Sequence, residues 1–345
     1  MGLGTSRSGA AILLLGLGAS GCSVEDIVAI RVDTGTPRPD AGPPFDGGAA
    51  PVGGLPALPS VFRDGGPRMC ACGGLSVSGA IRVDGPLGTE GDLDFSGELS
   101  VSGALEVGDE VRGSAVAARV GSLRVGAAWR SEALLEVDGD ADVGGDLLAE
   151  RLVVGGRLRQ PLSATRQTSD GESLGSFESG PVPSPTPCGC DDASDVAPWI
   201  EELGPWPSPE LLIPLQQTLT PERYQFEPPP TGSSLTLEVR GGASWARIGG
   251  RLIVSSLRVQ VPDPADALLL AIDGSFEIDN LSVEGSGRLI IVCADDGSVQ
   301  LPVLGPTAPV DLWAPNAELV VPGPIDWSGQ IVLRRLAAAG SVDLR

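Results

Sequence analysis

Histidine and lysine are both absent from the 345 residues, so all 23 basic side chains are arginine. Without histidine there is no Ser-His-Asp triad and no imidazole metal ligand; without lysine there is no Schiff base and no P-loop amine. Positive charge is scarce as a whole. The 23 arginines face 45 Asp and Glu, a formal net charge of −22, which excludes a nucleic-acid grip driven by cationic surface. Aromatic residues make up 4% of the chain, too few for a core founded on Trp, Tyr and Phe. What the chain has in excess is 49 Gly and 31 Pro, about twice the usual combined share of roughly 12%.

The first 21 residues have the layout of a secretory signal: Arg7, an apolar stretch from Ala10 to Leu17, then small residues. That stretch falls short of the roughly 20 residues needed to span a bilayer. It ends in Ala19-Ser20-Gly21-Cys22, which resembles the lipobox of bacterial lipoproteins, with Ala19 in place of the usual leucine. The resemblance implies cleavage between Gly21 and Cys22 and lipidation of Cys22, with acyl chains such as palmitate. Several acyl chains hold a protein on a membrane at roughly 0.8 kcal/mol per buried CH₂, where a single chain holds only marginally. Ser23 and Val24 follow the cysteine, and no Asp stands there as an inner-membrane retention signal, so the expected address is the outer membrane or cell surface. The N-terminal lipid is then the membrane contact, because so acidic a surface repels anionic headgroups.

Thr34 to Arg68 holds eight Pro and eight Gly, a composition that cannot bury enough surface to offset chain entropy. Residues 22–68 therefore read as a disordered tether. Beyond it, short alternating segments are separated by Gly and Asp: Leu75-Ser-Val77, Ile81-Arg-Val83, Leu93-Asp-Phe95. Period two predicts strands and the glycines predict turns. The unit LSVSGAIRVDG at 75–85 returns as LSVSGALEVGD at 99–109, and a looser echo spans 134–156. Such repetition predicts an all-β chain, a parallel β-helix in which coils of about 20 residues stack their Val, Leu and Ile inward. A β-sandwich is the alternative, disfavoured by the low aromatic content. Residues 69–162 form the first repeat block. Residues 163–190 read as a linker by composition. Residues 191–345 form a second block, opening with a short helix near Pro198–Leu203. Whether the blocks make one solenoid or two is open at this point.

The run Leu312-Trp313-Ala314-Pro315, Leu319–Val321, Ser328-Gly329, Arg334-Arg335 and Gly340-Ser341-Val342, together with Pro187-Cys-Gly-Cys-Asp191, resembles an uncharacterised β-helix domain of myxobacterial envelope lipoproteins. The repeat style is also distantly similar to the bactofilins, polymer-forming β-helices. These resemblances imply a fold, an envelope address and scope for self-association or contact with an envelope polymer; no catalytic residues and no cofactor come with them.

Five cysteines remain besides Cys22. In an oxidising envelope, Cys70 and Cys72 are expected to form disulfides with Cys188 and Cys190, or within each pair. The alternative is a Cys₄ zinc site, against which C-x-C is tighter than usual ligand spacing. Cys293 reads as a buried core thiol. Acids gather at turns (Glu90, Asp92 and Asp94; Asp138, Asp140 and Asp142; Asp191, Asp192 and Asp195; Asp295 and Asp296) and read as solvated, a calcium site at Asp138–Asp142 being the alternative. Trp199, Trp206, Trp313 and Trp327 would suit either packing over the solenoid's flank or a sugar-binding platform. The leading expectation is a lipid-anchored, noncatalytic envelope protein with a structural or adhesive display role. Carbohydrate binding or cleavage, and a bactofilin-like polymer, stand as alternatives.

Overall fold

The computed structural model describes residues 54–56, 66–114, 117–190, 196–209, 213–295, 298–300 and 308–345. Gly21, Cys22 and most of the expected tether lie outside the described residues. The fold is a parallel β-solenoid of about 13 turns, 58% strand and 3% helix.

In the first block the sequence period is six residues. Leu75, Ile81, Leu87, Leu93, Leu99 and Leu105 are all at most 2% exposed. Each is followed two places on by a second inward residue, such as Val77, Val83 or Phe95. Two inward side chains per short strand leave one side chain pointing outward between them, as a pleat requires. Leu87 stands beside Leu105 and Leu93 beside Val111, so one coil advances by 18 residues and has three sides. Glycine turns the corners because coils stack there backbone to backbone. A Cβ on Gly91 would lie 1.6 Å from the carbonyl oxygen of Gly73, and one on Gly97 2.4 Å from Gly79.

The coil differs from the expected 20 residues, and the LSVSG echo is not the coil either. Leu75 pairs with Leu93 and Leu99 pairs with Ile81, so the two copies occupy adjacent sides of the prism. Their offset of 24 is one coil plus one side, a multiple of the six-residue unit that every side shares.

The segment read as linker carries two further strands, Arg166–Thr168 and Glu172–Ser179, which complete the last coil by pairing with Leu147–Ala149 and Arg151–Gln160. Its serines and acids suit a coil with nothing stacked above it. The second block starts with longer coils, Leu252 beside Phe276 and Leu257 beside Leu281, 24 residues on, and they shorten towards its end, where Leu312 stands beside Ile331 and Ile325 beside Val342.

The blocks form one continuous solenoid, joined where its first strands meet its last. Met69–Ala71 pairs with Ile331–Leu333, Gly74–Val77 with Arg335–Ala338, and Ile81–Val83 with Val342–Leu344. Ile331, Leu333, Leu336, Val342 and Leu344 are at most 2% exposed under this seam. The first block therefore runs away from the seam, the connector returns along the outside, and the second block climbs back to it. One end of the rod is the strand Glu172–Ser179; the other is Gln216–Leu219 with Arg223–Phe226.

Candidate functional site

The connector is held against the solenoid by an apolar stripe and a pair of disulfides. The strands Ala267–Ile272 and Arg288–Cys293 are almost wholly buried because both of their faces are covered. Leu268, Leu270, Leu289 and Ile291 fill the interior, whereas Leu269, Ile290, Val292, Trp313 and Val332 point outward and are still at most 2% exposed. Their cover is the helix Val196–Glu202, through Val196 and Ile200, followed by Leu203. Pro198 sits in the first turn of that helix, where its missing N–H costs nothing. Trp199 meets Trp313 edge to face at 5.0 Å, and Trp206 Nε1 donates to the Ile200 carbonyl at 3.1 Å.

Arg247 ties the helix down through Glu201 at 2.5 Å and Asp273 at 3.0 Å. Burial alone would lower its pKa; the hydrogen bonds to the two carboxylates outweigh that and raise it, so the guanidinium stays charged under the helix. Part of the tether joins the same face: Trp245 Nε1 donates to the Gly54 carbonyl at 3.2 Å, and Leu55 packs on the stripe. Arg68 is tied at the seam, its N–H to Pro86 at 2.8 Å and its carbonyl to the Ile331 N–H at 2.9 Å. Gly54, Leu55 and Arg68 are thus held against the solenoid.

Cys70 is bonded to Cys188 and Cys72 to Cys190, each spanning 118 residues. The bridges sit beside the seam and fasten the connector to the first coil. Pro187 lies over Gly88, where a Cβ would come within 2.7 Å of it, and Ser184 Oγ donates to the Gly108 carbonyl at 2.8 Å. Glu90, Cys188 and Cys190 approach within 4.8 Å of one another, and the Cys190 N–H donates to Glu90 Oε1 at 3.0 Å. The sulfurs are spent in disulfides, so this group offers no thiolates for zinc.

Asp92, Asp94, Asp140 and Asp142 are engaged by arginine on neighbouring coils. Arg112 reaches Asp92 at 3.0 Å, Asp94 at 3.6 Å and Glu110 at 2.5 Å, and Arg130 reaches Glu110 at 2.7 Å. Asp140 accepts from the Arg157 N–H at 2.8 Å and Asp142 pairs with Arg159 at 3.4 Å. Asp191, Asp192, Asp195 and Asp296 lie outside the described residues. A groove of about 570 Å³ runs over this ladder, lined by Ser76, Asp94, Phe95, Glu110, Arg112 and Arg130, among others.

Trp313 and Trp327 are 2% and 1% exposed, and Trp199 and Trp206 pack over the stripe, so the four do not form a platform. Cys293 is buried beneath Gly274, its Sγ 3.1 Å from that carbonyl, and desolvation pushes its pKa up to about 11. Sequence reasoning missed the buried pair of Asp311, 1% exposed, with Arg288; its other oxygen accepts from the Gln330 N–H at 2.9 Å. One signal was present: an acid between the apolar residues Val310 and Leu312, where an outward position faces a covered stripe.

No family model matches the chain, and no curated protein or solved structure matches it.

Proposed function

We propose that this chain is a lipid-anchored protein of the bacterial cell envelope that serves as a rigid structural or display element, without catalysis. The observation that carries the proposal is the double disulfide clasp. Two bridges spanning 118 residues each belong to an oxidising compartment, which the outer envelope is and the cytosol is not. The signal-like segment and Ala19-Ser20-Gly21-Cys22 ahead of the solenoid agree with export and lipidation at Cys22.

A solenoid whose coils are crossed by arginine–carboxylate pairs on the outside and a continuous aliphatic core within suits a role that depends on stiffness. Each exposed pair contributes little alone, within about 1 kcal/mol. The core supplies the cohesion.

The test is fractionation of cells expressing the wild-type chain and Cys22→Ala. The anchored protein is expected in the membrane pellet and in the detergent phase, and the variant in the soluble fraction or retained as an unprocessed precursor. Identical partitioning of the two, with identical processing, would overturn the anchor.

A further inference from the structure

We infer that two copies of this chain join end to end through the strand Glu172–Ser179, forming a closed, two-fold symmetric dimer. This goes beyond the envelope role and does not depend on the lipid. The strand is paired on one edge with Arg151–Gln160, and among the described residues nothing pairs with its other edge. Free edges in native proteins are normally guarded by proline, by charge (lysine above all, or a charge pointing inward), by a bulge or by a covering element. This edge contains no Pro and no Lys, and its two acids are already neutralised within the chain, Glu172 by Arg166 at 2.7 Å and Glu178 by Arg157 at 3.2 Å.

The core is unroofed at the same end. Phe177 continues the inward row above Leu158, yet is 51% exposed, and Leu174 continues the row above Val154 and is only partly buried. Leu162, 91% exposed, stands beside a groove of about 740 Å³ that Phe177 helps to line. A solenoid needs a terminal cap over its apolar interior, and among the described residues this end has only the Arg166 guanidinium, 4.7 Å over the Phe177 ring.

A second copy supplies it because the strand is complementary to itself. Laid antiparallel, Glu-Ser-Leu-Gly-Ser-Phe-Glu-Ser sets Glu172 opposite Ser179, Ser173 opposite Glu178, Leu174 opposite Phe177 and Gly175 opposite Ser176. Every acid meets a serine and every apolar residue meets the other, with no like charges directly opposed. The ladder with the preceding coil shifts between Val154 and Arg157, where the strand rounds a corner of the prism near Gly175. A two-fold axis through that corner carries one flanking side onto the other and keeps the two rods coaxial.

The opposite end does not invite the same contact. Its strands Gln216–Leu219 and Arg223–Phe226 are flanked by Pro214, Pro221 and Pro228–Pro230, and Tyr224 stacks on the buried Phe226 at 5.8 Å. An isologous contact at one end alone closes at two copies.

Sedimentation velocity on the purified full chain tests this, with Ser173→Glu and Ser173→Arg as variants. Ser173 is exposed in the single chain, so circular dichroism should be unchanged in both. Ser173→Glu places like charges opposite each other at two symmetric places and should weaken dimerisation by about tenfold. Ser173→Arg places a cation opposite Glu178 and should leave it as tight or tighter. A wild-type monomer, a filament, or a dimer indifferent to Ser173→Glu would each overturn the proposal.

Discussion

Removing the two disulfides should be strongly non-additive. Either bridge alone closes a loop of 118 residues, and in the chain-entropy description such a closure restrains the unfolded chain by about 5 kcal/mol. With Cys70–Cys188 formed, Cys72 and Cys190 lie only two residues along each arm, so the second bridge closes a ring of a few residues and adds about 2 kcal/mol by the same relation. Cys72→Ala with Cys190→Ala should therefore cost about 2 kcal/mol, whereas removing all four sulfurs should cost about 7 kcal/mol. Urea unfolding followed by circular dichroism measures the totals. Tryptophan fluorescence reports separately on the connector, because Trp199 lies on Trp313 and leaves it if the helix lifts. If removing one bridge costs about half as much as removing both, the two close independent loops and the reasoning fails.

Three further outcomes follow from the same packing. Trp313→Ala strips the centre of the outer stripe and should destabilise by about 3–5 kcal/mol, read from the urea midpoint, with loss of the Trp199 contact. Glu284, held below its ordinary value by the hydrogen bond from Arg258, and Asp146, held below its own by the Thr165 N–H, both favour the folded state when ionised. Their contribution is complete above the ordinary carboxylate range and is lost as pH falls through the lower folded values, so a stability–pH titration should fall on its acid limb below about pH 4. Cys293, with its thiol pushed up to about 11 by burial, should resist alkylation at pH 8 until the chain is unfolded, and the stability it lends in neutral form should fade as pH rises from 9.0 towards 11.

The parallel solenoid was legible because its signal is local: alternation within each side and glycine at each corner are visible in any short window. The six-residue unit was hidden behind the longer LSVSG echo, since identical wording on adjacent sides stands out more than the bare apolar spacing shared by all sides. Burial on both faces was written in Leu268–Leu270 and Leu289–Val292, where alternation gives way to unbroken apolar runs, the mark of a strand covered on each side. The partner covering the outer face, a seven-residue helix rich in prolines nearby, carried no comparable signal. Cysteine spacing pointed to disulfides but left bridging between the pairs or within each pair open, because two C-x-C pairs allow more than one pairing. The joining of the blocks was illegible for a different reason. It depends on Met69–Val77 finding Ile331–Ala338 across about three quarters of the chain, and nothing local encodes which apolar strand meets which.

The central claim of the proposed function is the lipid anchor, and mass spectrometry of the N-terminal peptide from membrane-extracted protein tests it most directly. The account predicts a mature chain beginning at Cys22 and carrying the mass of a lipid modification. A mature chain that begins elsewhere, or begins at an unmodified Cys22, would contradict it.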